Sequence, residues 1–202
     1  MSLSSLLPKA HTTDMVYADL KEGLLKTVNV LAYLLFLMSH IYVTIFPQLI
    51  YENANVKETY FTPDVLAFFV WPFIHILLLC TIVYSFASDH GKTVMIDGIS
   101  WEFPLFTVLF AIFVTVRASH NQNATFFTSF FLNYVGFSLY ATLMKDHSLW
   151  STRGQFFVLL PFSACQAWNA FLFCLTAFEA FGVDATENNS GIGTGFVVVF
   201  AL

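Results

Sequence analysis

Five long apolar runs, at roughly 27–50, 64–87, 102–118, 125–144 and 155–179, constrain this chain more than any motif in it. Each approaches the ~20 residues that a helix needs to cross a hydrocarbon core about 30 Å thick. Backbone groups in lipid must be hydrogen-bonded internally, so only helices and closed barrels can span it. The runs lack the two-residue alternation of barrel strands. The expected fold class is therefore all-α: a polytopic transmembrane bundle of about five helices, with a sixth begun at the C-terminus. The third run is the shortest.

Composition agrees. The chain is 57% hydrophobic and 10% charged, with a mean hydropathy of +0.71, whereas soluble chains carry roughly 25% charged residues. Phenylalanine alone supplies 25 residues, and the net charge is −5. No Lys/Arg cluster points to a nucleic-acid partner. Cys80, Cys165 and Cys174 all lie inside apolar runs, where cysteine behaves as a small buried hydrophobe rather than part of a disulfide framework.

Three regions follow. Residues 1–26 form a cytosolic or interfacial lead in which Asp14, Asp19, Lys21, Glu22 and Lys26 interleave with Leu20, Leu24 and Leu25. That pattern predicts a short amphipathic helix lying on the membrane surface. No cleavable signal peptide is evident, because the first apolar run starts late and is too long for a signal core. Residues 27–181 form the five-helix domain. Residues 182–202 form an outer loop and an apolar stub; Phe196–Leu202 is too short to span and reads as the start of a further helix.

Orientation follows from the basic residues. The lead and the loops expected at 88–101 and 145–154 carry Lys9, Lys21, Lys26, Lys92, Lys145 and Arg153; the opposite segments 51–63, 117–124 and 180–191 carry only Lys57 and Arg117, placing the N-terminus in the cytoplasm. The sequons at Asn123 and Asn188 both fall on the predicted outer side and are glycosylation candidates. These signs favour the plasma membrane or secretory pathway; a mitochondrial site is the other location considered.

No catalytic constellation is present. Asp64, Glu102, Arg117 and Glu179 sit at predicted helix ends, within reach of water or headgroups. The lack of mid-membrane carboxylates argues against an ion-coupled transporter or an intramembrane enzyme. The exceptions are His40 and His75, which the helical rise places about 20 Å and about 15 Å into their spans from opposite sides. Three readings are open for them: hydrogen-bonded histidines facing the bundle, imidazole contacts to a ligand, or the two axial ligands of a haem.

The second span opens with Thr62-Pro63-Asp64, a good helix start. Pro72, after Trp71, cannot donate to the carbonyl of Phe68, so a kink is expected there. In the fifth span Pro161 and Trp168 share a face, and Ser163, Gln166 and Asn169 form a polar stripe suited either to interhelical bonding or to a ligand. Sterol-type patterns occur at Val135–Lys145 and Lys57–Val65, and aromatic-rich chains match such patterns by chance.

At the second and fifth spans the chain resembles the TspO/translocator-protein superfamily, especially its longer tryptophan-rich sensory protein relatives. Pro63-x4-Phe68-x2-Trp71 is similar to that family's P-x4-F-x2-W segment, and Pro161-Phe-Ser-x4-Trp168 to its P-F-S-x4-W segment. The resemblance implies a five-helix bundle with a central pocket for flat apolar ligands, lined here by Phe68, Trp71 and Trp168. His75 stands where relatives often carry tyrosine. The ligand-binding set expected is Phe68, Trp71, His75, Gln166, Trp168 and Asn169.

The leading functional expectation is a non-enzymatic membrane protein holding a lipid, sterol or tetrapyrrole against aromatic walls. The expected partners are membrane lipids, with a homodimer or larger membrane complex also considered. A small accessory subunit of a larger enzyme or transporter is the rival reading. A haem redox protein using His40 and His75 is the third, although no cofactor is the base expectation.

Overall fold

The computed structural model describes residues 7–46, 69–145 and 152–181. Every element among them is helical: α1 (Leu7–Ile45), α2 (Val70–Ala87), α3 (Asp89–Lys92), α4 (Glu102–Ala118), α5 (Gln122–Lys145) and α6 (Leu160–Phe181). α3 runs on as wider π-helical turns over Thr93–Gly98, and α6 is led in by Thr152–Gly154 and the π-helical Gln155–Leu159. Four helical stretches, Val16–Ile45, Val70–Ala87, Gln122–Lys145 and Thr152–Phe181, are long and apolar enough to cross a membrane. A fifth span arises if Asp89–Gly98 and α4, bent by 72° at their junction, count as one.

Two expectations need correction. The lead is not a separate helix on the membrane surface, because α1 is continuous from Leu7 to Ile45. Its 39 residues would extend about 58 Å at the α-helical rise, so α1 outruns the hydrocarbon core and projects from it. Nor is 88–101 a plain loop. Val94, Met95, Ile96 and Ile99 are buried almost completely, so this segment folds back beneath the bundle as α3 and its π turns. The reversal into α4 passes through Ser100 at φ 41°, a left-handed conformation uncommon outside glycine and held by the surrounding packing.

The helices form a closed circuit in which α1 packs on α4, α4 on α5, α5 on α6 and α6 on α2; α1 and α2 touch only sparsely. The α5–α6 seam explains itself chemically. Thr125, Ser129, Leu132, Gly136, Leu139 and Leu143 are the buried residues of α5, spaced alternately by four and three. Phe162, Cys165, Asn169, Leu172, Thr176 and Glu179 repeat the pattern on α6. That spacing keeps one stripe of each helix facing its neighbour. Small and polar residues on it let the backbones close in where lipid supplies no hydrophobic drive. Ser129 and Thr176 share a hydrogen bond of 2.6 Å, and Gln166 Nε2 donates to Asn133 Oδ1 at 3.0 Å.

Proline joins α2 to α6. Pro161 has no N–H to give the carbonyl of Phe157, four residues earlier. The hydroxyl of Thr81, fully buried on α2, reaches that carbonyl at 2.7 Å. Pro72 lies in the first turn of α2 as described; the carbonyl of Phe68, where the kink was expected, lies outside the described residues, as does the Thr62–Asp64 cap. The apolar tail 182–202 is also outside them.

Candidate functional site: an aromatic cluster at the α1–α2 seam

The sparse contact between α1 and α2 is filled by rings. On α1, Tyr33, Phe36 and His40 recur at helical spacing and project toward α2. The His40 ring lies 4.1 Å from Trp71 and 5.0 Å from His75, centre to centre, and Phe36 lies 4.7 Å from His75. The cluster continues inward through Phe110 of α4, 4.9 Å from Phe36 and 5.5 Å from Trp71. It reaches α6 at Trp168, 6.0 Å from Trp71 at an interplanar angle of 86°. Edge-to-face contacts dominate, the arrangement that ring quadrupoles prefer.

Its polar groups are few. Tyr33 donates its hydroxyl to the backbone carbonyl of His75 at 3.0 Å, tying α1 to α2. The His40 Nδ1 faces the Phe36 carbonyl at 3.3 Å. His75 is 7% exposed, and neither of its ring nitrogens has a hydrogen-bond partner among the described residues. Buried polar groups of this kind are rare and costly.

Of the residues anticipated from sequence, Trp71, His75 and Trp168 are brought together, with His40 beside them. Gln166 and Asn169 lie deeper, at the α5–α6 seam. A Cβ placed on Gly136 would collide with Gln166 Oε1, meet Phe106 Cε2 at 2.7 Å and approach Asn169 Nδ2 at 3.1 Å. Phe106 in turn packs on Phe110 at 5.0 Å, so this polar spot adjoins the aromatic cluster. Asn169 is fully buried, and among the described residues neither its amide atoms nor Gln166 Oε1 has a hydrogen-bond partner. Ser163 is satisfied on its own helix by the Leu159 carbonyl. Phe68 lies outside the described residues. Sequence reasoning missed Tyr33, Phe36, Phe110, Asn133 and Gly136; the 33–36–40 spacing was a legible signal for the first two.

The two histidines do not fit a haem between them. Bis-axial ligation would set the ring centres about 6 Å apart on opposite faces of a flat macrocycle, given metal–nitrogen bonds of ~2 Å. Here they stand 5.0 Å apart at 74°, with Phe36 against both. Among the described residues no group of three or more His, Cys, Asp or Glu side chains could hold a metal ion.

Other features frame the site. Arg117 of α4 and Glu179 of α6 form a two-bond ion pair, with N–O distances of 2.9 and 2.8 Å. At the opposite end Glu22 bonds Lys26 at 2.7 Å and also contacts Lys92, while Lys26 sits 5.2 Å from the centre of the Phe86 ring. An open apolar groove of about 590 Å3, lined by Val28, Leu31, Leu35, Trp101 and Leu105 among others, runs between α1 and α4 on the bundle surface. Asn123 is exposed in the first turn of α5; Asn188 lies outside the described residues.

A helical bundle with spans of these lengths, apolar outside and ring-filled within, defines a multi-pass integral membrane protein. The chain belongs to the TSPO-like protein family, whose model matches residues 26–201. No curated protein and no solved structure matches it.

Proposed function

We propose that this chain is a non-enzymatic membrane protein of the TspO type that binds an apolar ligand, a lipid, sterol or tetrapyrrole, at the aromatic cluster. The observation that carries the reading is the meeting of Trp71 and Trp168, from α2 and α6, beside His40 and His75 at the sparsely packed α1–α2 seam. Large rings give such a ligand flat apolar walls, and a few polar groups orient it. The N-terminus is proposed to face the cytoplasm, in the plasma membrane or secretory pathway.

The test is mild purification from native membranes with identification of what co-purifies, followed by Trp71→Ala and Trp168→Ala. Both variants are expected to lower ligand occupancy at least tenfold. Unchanged occupancy rejects the cluster as the binding site.

A second reading, a subunit packed on a larger membrane complex, is favoured by α5. Phe127, Phe130, Phe131, Tyr134 and Phe137 line its outer face, all strongly exposed. A stoichiometric large partner in the same purification would support it.

A further inference from the structure

We infer that His40 and His75 form a polar anchor for the head of the ligand, and that the head must carry an O–H group, either a hydroxyl or a protonated carboxyl. The inference rests on the functional reading above and adds the chemical class of ligand to it.

The argument is a count of hydrogens. A carbonyl oxygen only accepts, so the 3.3 Å contact between His40 Nδ1 and the Phe36 carbonyl assigns the His40 proton to Nδ1. Its Nε2 is left with a lone pair. His75 in its neutral form has one N–H and one lone pair, and both nitrogens are buried without partners among the described residues. The nearby Tyr33 hydroxyl supplies no hydrogen to the pair, because it donates to the His75 backbone carbonyl. The pair thus offers two lone pairs and one N–H, a surplus of acceptors. A ligand hydroxyl or carboxylic acid brings a hydrogen for one of the two lone pairs and also an oxygen to accept from the His75 N–H. An ether or ester brings no hydrogen and leaves both lone pairs unmet, where an O–H head leaves only one.

The surroundings suit such a head. Phe36 and Trp71 each lie against both imidazoles, and Phe110 backs them, so the head's hydrogen bonds form beside apolar rings. His40 and Trp71 are only half-buried and sit at the sparse α1–α2 seam.

The experiment compares matched pairs in detergent micelles: cholesterol with its methyl ether, and oleic acid with methyl oleate. Affinity is read from fluorescence of Trp71 and Trp168 in a Trp101→Phe, Trp150→Phe background. At least one parent is expected to bind about tenfold or more tightly than its methyl derivative, the loss that an unsatisfied buried partner brings. Which pair shows the difference tells a sterol hydroxyl from a fatty carboxyl. His75→Phe should bring parent and derivative to parity, while His75→Gln, which keeps a donor and an acceptor, should retain part of the preference.

Parity in the unmutated protein overturns the inference and leaves the apolar-ligand reading standing. A preference that survives both His40→Phe and His75→Phe also overturns it, because the head would then lie elsewhere. Absence of binding by all four compounds overturns it too; the native-membrane purification then decides the functional reading separately. The comparison in unmutated protein does not depend on any variant folding.

Discussion

Arg117 and Glu179 grip each other through two parallel N–H···O bonds, linking the last turns of α4 and α6 across 62 residues of sequence. Glu179 is 7% exposed, so little solvent reaches its side of the pair. Removing one member of such a pair costs more than replacing both, because the survivor stays buried and uncompensated.

Glu179→Gln is therefore expected to destabilise the bundle by about 1–3 kcal/mol, discounted from a fully buried pair because Arg117 is partly solvated. The double variant Arg117→Met, Glu179→Leu should recover most of that loss. Thermal unfolding in detergent checks both, and an unchanged midpoint for Glu179→Gln would show that the pair holds nothing.

Gly136→Ala is expected to loosen the α5–α6 seam. The new methyl collides with Gln166 Oε1 and sits 2.7 Å from Phe106 Cε2. Over-packing of this kind costs about 1–3 kcal/mol. The readout is again the detergent melt, and a variant as stable as the parent would mean that the seam is looser than described.

Thr81 and Pro161 should be energetically coupled. Thr81→Val removes the donor to the Phe157 carbonyl and is expected to cost about 1 kcal/mol. In a Pro161→Ala background the restored backbone N–H can serve that carbonyl, so the same change should cost less. A double-mutant cycle measures the difference. Strict additivity would refute the link.

The continuity of α1 can be measured directly. Spin labels at Leu20 and Leu35, both exposed, in a background without Cys80, Cys165 and Cys174 should report one narrow distance. Fifteen residues of α-helix put the backbone sites about 22 Å apart. A short, broad distribution would restore a lead folded onto the membrane surface.

The sequence by itself determined the helical spans, because span length and apolarity are local quantities fixed by bilayer thickness. The run at 102–118 coincides with α4, and the run at 125–144 lies within α5. It also determined which residues were chemically conspicuous: Trp71, His75, Trp168 and His40 are rare polar or bulky groups in an apolar background. Only the tertiary structure decided how they combine. Glu179 looked like a solvated helix end and instead pairs with Arg117. Gly136 carried no sequence signal, yet side chains of α4 and α6 leave no room for a Cβ there. Residues 88–101 looked like a polar loop, yet their apolar members tuck beneath the bundle. Each outcome depends on which helix faces which. In lipid that choice rests on close packing and hydrogen bonds between residues far apart in sequence, and hydropathy along the chain carries no record of it.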